Sequence, residues 1–251
     1  MKKTALTLVL SLLVVIASAT NPIPKITIAV AANMQFAMRA LTQTFAKETG
    51  IECDLIISSS GKLTAQIKAG APYDVFVSAD MKYPDNLYKA GFALEEPKIY
   101  AYGKLVLWSI NDSIKPSLAI LKTDAIKHIA CANPKTAPYG VAAIQALKHF
   151  GVYNLVENKL VYGESISQTN QFIISESAEL GFTAKSVVLS PDFKGSGNWI
   201  EIDPNSYSPI AQGVIVIKRN KPEESKALKF YNFLFSPEAK KILENFGYKV
   251  K

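Results

Sequence analysis

Residues 25–34, KITIAVAANM, join an apolar run to a short polar turn. The run itself, residues 25–31, predicts a buried β-strand. A helix is predicted over residues 35–48, where apolar side chains recur every four positions, and Gly50 marks its end. A strand that leads through a polar turn into a helix is the building unit of open α/β sheets.

The same order recurs along the chain. Further elements are predicted as strands at 54–57, 74–78, 105–108, 126–130, 181–183 and 213–217, and as helices at 62–69, 82–90, 141–150, 166–177, 224–235 and 237–245. Residues 192–205 are rich in Gly, Pro, Ser and Asn, which predicts a loop. The alternation predicts doubly wound sheets of mostly parallel strands, and its two clusters indicate two lobes around a cleft.

The first residues have the pattern of a secretory signal peptide over 1–19. A basic start, Met1–Lys3, precedes an apolar core at 5–16 and the small residues Ala17–Ala19. The core is shorter than the roughly 20 residues that a membrane-spanning helix needs. We therefore expect an exported, soluble chain that starts near Thr20.

Composition excludes some functions. The 251 residues carry a formal charge of +7, and removal of the leader's two lysines leaves +5, because the leader holds no acidic residue. No run of basic and aromatic residues indicates nucleic-acid binding. His128 and His149 have no neighbouring metal-ligand set, and Cys53 and Cys131, placed in different lobes, are expected to remain free thiols.

Ligand sites in such sheets lie beyond the carboxyl ends of the strands. Three strand-to-helix turns contain small or polar residues, at 31–34, 58–62 and 138–140, and a fourth such turn, 163–166, opens the helix at 166. Each helix start exposes unpaired N–H groups and partial positive charge, so several of them around one cleft would bind an anion. In any single turn, however, residues such as Asn33 are expected simply to cap the next helix.

Enzyme motifs are incomplete in the same turns. Ile56 stands where a phosphate-binding loop needs its first glycine, and Leu63 where that loop needs Ser or Thr. The Gly-x-Ser-x-Gly elbow of serine hydrolases is absent from the sequence. We therefore do not expect an enzyme.

Several strings in these turns resemble one family. The residues at 28–34 (IAVAANM), 58–63 (SSSGKL), 66–80 (QIKAGAPYDVFVSAD) and 246–248 (FGY) are similar to those of periplasmic molybdate-binding proteins of ABC-type importers. The resemblance runs from about Lys25 to Lys251. It implies the two-lobed type II periplasmic-binding-protein fold, with a mixed sheet flanked by helices in each lobe and the ligand in the interlobe cleft.

The resemblance also implies the site. Carried over residue by residue, the positions that bind the oxyanion are Asn33, Ser60, Tyr139 and Ile166, with Ala32 beside them. The implied ligand is molybdate or tungstate, bound by neutral donors, with no cofactor and no direct cation ligand. Many members have a tyrosine donor where this chain has Ala184. We hypothesise that Asn33 and the Tyr139 hydroxyl replace that donor.

The implied biology is periplasmic capture by a monomer that delivers the ion to a membrane permease. Lobe one would hold residues 20–103 and 213–251, and lobe two residues 104–212, with a hinge near Gly103 and Ser208–Pro209. Alternatives that the residues leave open are another tetrahedral anion such as sulfate or phosphate, an organic solute or ferric ion, and an oxyanion sensor without a transport role.

Overall fold

The structure is a computed structural model that describes residues 25–219 and 223–250. The predicted leader therefore lies outside the described residues. The strands are β1 (Lys25–Ala31), β2 (Glu52–Ser58), β3 (Val75–Val77), β4 (Lys98–Gly103), β5 (Leu105–Ser109), β6 (Ile129–Ala132), β7 (Leu160–Gly163), β8 (Leu180–Ala184), β9 (Asn198–Glu201) and β10 (Ile210–Val216). The helices are α1 (Gln35–Thr49), α2 (Ser60–Lys68), α3 (Lys82–Lys89), α4 (Pro138–His149), α5 (Tyr153–Val156), α6 (Ile166–Ile174), α7 (Lys185–Val188), α8 (Glu223–Phe233) and α9 (Pro237–Asn245).

These strands form two sheets with the same plan. The first has the order β2-β1-β3-β10-β4 and the second β7-β6-β8-β5-β9. In each sheet three parallel strands are followed by two antiparallel pairings. We call each sheet, with the helices packed on it, lobe one and lobe two.

The chain passes between the lobes twice. Gly103 ends β4 in the first sheet, and Leu105 begins β5 in the second. The chain returns after β9, and β10 pairs with the first sheet from Ile210 onward. The two lobes are therefore joined by a pair of short crossing segments, which is the arrangement of a hinge.

The predicted fold class is confirmed, with local corrections. The sheets are mixed rather than mostly parallel, because the strands on both sides of the crossings run antiparallel to their neighbours. The predicted loop at 192–205 contains the edge strand β9, whose pairing with β5 outweighs its Gly-rich and polar surroundings. Helix α4 starts at Pro138 rather than Val141, since proline is well suited to the first helical position.

Buried aromatic packing anchors the long helix that follows the first polar turn. Phe45 of α1 is 1% exposed and meets Phe230 of α8 edge to face, with ring centroids 5.2 Å apart. This contact fixes α1 against the C-terminal helices. Within the described residues, no helix has the length and apolar character that crossing a membrane requires.

Candidate functional site

The four polar turns lie together because of strand order. β1 and β2 are parallel neighbours whose last residues, Ala31 and Ser58, are in register. β6 and β7 are likewise parallel, with Ala132 opposite Gly163. The carboxyl ends of both pairs face the space between the sheets, so each lobe contributes two helix starts to one place.

A small cavity of about 10 Å³ lies at this meeting point. Its walls are formed by Ala31, Ala32, Asn33, Ser59, Ser60, Ala79, Ala137, Pro138, Tyr139 and Ile166. The volume is below the roughly 300 Å³ at which pockets for organic ligands begin. None of these described lining residues carries a charged side chain, so an occupant has to be small and held by neutral groups.

The structure brings all four predicted site residues into this wall. Asn33, Ser60 and Tyr139 are each 1% exposed, and Ile166 is 3% exposed. Ala32, predicted to lie beside them, is also part of the wall. The four turns therefore converge, as the anion hypothesis requires.

Main-chain N–H groups supply donors at three helix starts. Ser60 and Ile166 are the first residues of α2 and α6, and Tyr139 is the second residue of α4, behind a proline that has no N–H. N–H groups in a first helical turn have no partner within the helix. The partial positive charge of each helix start adds to their attraction for an anion.

Ser59 and Ser60 of the second turn have hydroxyl groups that make different hydrogen bonds. Ser59 caps α2, since its hydroxyl oxygen accepts a hydrogen bond from the Lys62 N–H at 3.4 Å. The Ser60 hydroxyl oxygen instead accepts from the Ala79 N–H at 3.0 Å. The Ser60 hydroxyl also lines the cavity and keeps its own hydrogen available to donate.

Asn33 does not cap the following helix, contrary to the expectation from sequence. Its amide nitrogen donates to Gln212 Oε1 at 2.8 Å and to the Tyr248 hydroxyl at 3.1 Å. The Gln212 amide is itself oriented by donation to the carbonyls of Ala79 and Ile210. Both amide hydrogens of Asn33 are thus engaged, which leaves its main-chain N–H as its remaining donor.

The Tyr139 hydroxyl also lies at a different place from the one that the hypothesis assumed. Its oxygen lies against the hinge, where a β-carbon on Gly103 would fall 2.1 Å from it. Burial raises the pKa of the Tyr139 phenol well above its ordinary value, so the group stays protonated. Ala184, at the end of β8, is fully buried. The geometry therefore does not favour replacement of the tyrosine donor by the side chains of Asn33 and Tyr139.

Three polar residues behind the cavity were not predicted. Gln212 and Tyr248 hold the Asn33 side chain, and the Ser186 hydroxyl donates to the Asn33 carbonyl at 2.8 Å. Tyr248 also donates to that carbonyl and lies 3.0 Å from the Ser186 hydroxyl. Ser186 belongs to lobe two and the others to lobe one, so this network joins the lobes beside the hinge.

The opposite side of the cavity is closed by contacts at its rim. The Gly61 N–H of lobe one donates to the Thr136 carbonyl of lobe two at 2.9 Å. The ammonium of Lys62 pairs with the carboxylate of Glu164 across the same gap. Contacts at the rim and beside the hinge therefore join the two lobes next to the cavity.

Comparison with known proteins identifies the class. Residues 26–249 match the family of bacterial extracellular solute-binding proteins. Because that match covers most of the chain, the protein belongs to this family.

Individual relatives are more specific. The chain is 36% identical over 226 residues to a molybdate-binding protein of Azotobacter vinelandii, covering 89% of each chain. It is 38% identical over 222 residues to one of Rhodobacter capsulatus, covering 88% of this chain and 86% of that relative. The solved periplasmic molybdate-binding protein of A. vinelandii superposes with a TM-score of 0.83 at 35% identity, covering 90% of this chain and 99% of the solved one.

Proposed function

We propose that this chain captures molybdate outside the cytoplasm and delivers it to the permease of an ABC-type importer. The observation that carries the proposal is the small buried cavity at four strand-to-helix turns, in which the only polar groups are uncharged. The names of the similar proteins support the same ligand. Tungstate, an ion of nearly the same size and shape, is the second proposed ligand.

The donors are assigned as follows. The main-chain N–H groups of Asn33, Ser60, Tyr139 and Ile166 and the Ser60 hydroxyl bind the four oxygens. The metal is held only through its oxyanion, and within the described residues no cluster of His, Cys, Asp and Glu could hold a cation. Several neutral donors can satisfy every oxygen of a dianion without a buried counter-charge.

Phosphate fits this cavity less well. At neutral pH it retains a proton that needs an acceptor in the site. Glu164 is the one carboxylate in the four turns, and it pairs with Lys62 at the rim, where their side chains are 64% and 44% exposed. A site of donors without a carboxylate favours an anion that carries no proton.

Location, partners and lobe boundaries complete the proposal. The chain acts in the periplasm as a monomer with its signal peptide removed, binds no nucleic acid and catalyses no reaction. Lobe one comprises residues 20–103 and 213–251, and lobe two residues 104–212. The pairing of β10 with the first sheet from Ile210 favours a second boundary nearer residue 209. Closure of the lobes on the ion is the signal to the permease.

Calorimetric titration of residues 20–251 with molybdate, tungstate, sulfate and phosphate tests the ligand. We expect tight binding of molybdate and tungstate and no heat from phosphate. Tight binding of sulfate alone would assign the chain to a different tetrahedral anion. Absence of binding to all four would refute the function and leave the fold.

Adjacent serines give a matched test of the site. Ser60→Ala removes a hydrogen bond to a charged ligand, which is worth about 1.5–3 kcal/mol, so the affinity for molybdate should fall roughly 10- to 150-fold. Ser59→Ala removes only a helix cap and should cost about 1 kcal/mol of stability with little change in affinity. Equal affinities for the two variants would contradict the role given to Ser60.

A further inference from the structure

The hydroxyl of Tyr139 reaches from one lobe into the other. Tyr139 belongs to α4, which packs on β6 and β8 of lobe two. A β-carbon on Gly103, the last residue of β4, would fall 2.1 Å from the Tyr139 oxygen and 3.0 Å from the Gln212 amide nitrogen. The polar end of Tyr139 is therefore surrounded by lobe one and the hinge.

This hydroxyl has no hydrogen-bond partner among the described residues, although it is completely buried. The Asn33 amide and the Tyr248 hydroxyl lie close enough to attract it, but neither makes a hydrogen bond of good geometry to it. Both are directed at other partners, namely Gln212, the Asn33 carbonyl and each other. A buried polar group without a partner is rare in folded proteins and calls for an explanation.

Opening of the cleft changes the surroundings of this group. Because its neighbours belong to lobe one, separation of the lobes withdraws the Tyr139 hydroxyl from them and exposes it to water. Closure reverses this, and no described residue replaces the hydrogen bonds with water that the group then loses. An unpaired buried hydroxyl of this kind shifts an equilibrium by roughly 5- to 150-fold.

We propose, on the basis of the anion-binding function above, that the Tyr139 hydroxyl is a release determinant. It disfavours the closed state, and so sets the affinity below the value that the cavity donors alone would give. A protein that hands its ion to a permease needs a closed state that opens again, and a hydroxyl that is hydrated only when the lobes are apart favours that opening.

The variant Tyr139→Phe tests this directly, because it removes the hydroxyl and keeps both the ring and the main-chain N–H. We expect the dissociation constant for molybdate to fall about fivefold or more in calorimetry, with slower dissociation in stopped-flow fluorescence. Unchanged affinity would overturn the inference. Weaker binding would also overturn it, and would show that the hydroxyl donates to the anion.

Tyr231→Phe is the matched control. The hydroxyl of Tyr231, in α8 of lobe one, is also buried without a partner among the described residues, but it does not line the cavity. Its removal should leave the affinity unchanged. If both variants tightened binding equally, the effect would not come from the cleft, and the inference would fail.

Small-angle X-ray scattering without any anion separates this inference from the proposed function. Tyr139→Phe should be more compact than the wild type, whereas Tyr231→Phe should match the wild type. If the wild-type chain binds none of the anions, the proposed function fails and the scattering result decides the inference alone. A Tyr139→Phe variant that is no more compact than the wild type would then refute it.

Discussion

Gly61 controls how closely the two lobes approach at the rim. It is the second residue of α2, and its N–H donates to the Thr136 carbonyl of lobe two at 2.9 Å. A β-carbon at this position would lie 3.0 Å from both Cα and O of Thr136 and 2.9 Å from the Tyr83 hydroxyl. Two of these three atoms are backbone and cannot rotate away. Gly61→Ala should therefore hold the closed lobes apart.

The magnitude follows from the contacts that this separation weakens. Loss of the Gly61 hydrogen bond costs about 0.5–1.5 kcal/mol, and the neighbouring exposed ion pair adds about 0–1 kcal/mol. The affinity for molybdate should fall roughly 2- to 70-fold. Alanine is more favourable than glycine within a helix by up to about 1 kcal/mol, so the ligand-free protein should not lose stability.

Calorimetry and thermal unfolding, each with and without molybdate, measure the two effects. Lys62→Ala is the control at the next position, because it removes only the ion pair between half-exposed side chains and should change affinity by less than about fivefold. The reasoning is refuted if Gly61→Ala binds as tightly as the wild type. It is also refuted if the ligand-free variant is less stable than the wild type, since the glycine would then serve the fold rather than closure.

Two further predictions concern ionisation. Burial tends to raise the pKa of Glu201, but hydrogen bonds from Lys104 and Lys185 outweigh it and lower that pKa overall. The ionised carboxylate of Glu201 thus stabilises the fold above its unfolded pKa of about 4.3. Glu201→Gln should reduce the resistance to urea at pH 7, but not at the low pH where the wild-type carboxyl is protonated. An equal reduction at both pH values would contradict this. Burial raises the pKa of the Cys53 and Cys131 thiols to about 12. A thiol reagent at pH 8 should therefore label neither cysteine in the native protein, and both after unfolding without reductant. Rapid labelling of the native protein would refute the prediction.

Local pattern was sufficient for the framework of the fold. The strand at 25–31 and the helix at 237–245 were predicted with the residues that the structure has, because apolar periodicity and a following turn specify them within a few residues. Three strands, β4, β7 and β9, were not predicted. β9 was missed because its half-buried side chains show no period and its pairing with β5 holds it in place. The start of α4 was misplaced by three residues because Pro138 was assigned to the turn.

The sequence predicts which turns form the candidate site, but not which hydrogen bonds their side chains make. The four turns could be found because the carboxyl ends of parallel strands meet at one edge. The hydrogen-bond partners of Asn33 could not, since Gln212 and Tyr248 lie 179 and 215 residues away along the chain and Ser186 lies 153 residues away. Only the packed lobes bring these residues together, and Gln212 and Tyr248 then engage both hydrogens of the Asn33 amide.

Contacts between the lobes and contacts with the ion affect the apparent affinity in different ways. Apparent affinity is the product of intrinsic affinity for the closed form and the population of that form. Gly61 and the Tyr139 hydroxyl contact the opposite lobe, whereas the Ser60 hydroxyl and the helix-start N–H groups line the cavity. Changes at the rim and hinge should therefore alter the affinities for molybdate and tungstate by one common factor, in opposite directions for Gly61→Ala and Tyr139→Phe. Changes in the cavity act on the ion itself, so selectivity between anions and the ease of release can vary independently in this fold.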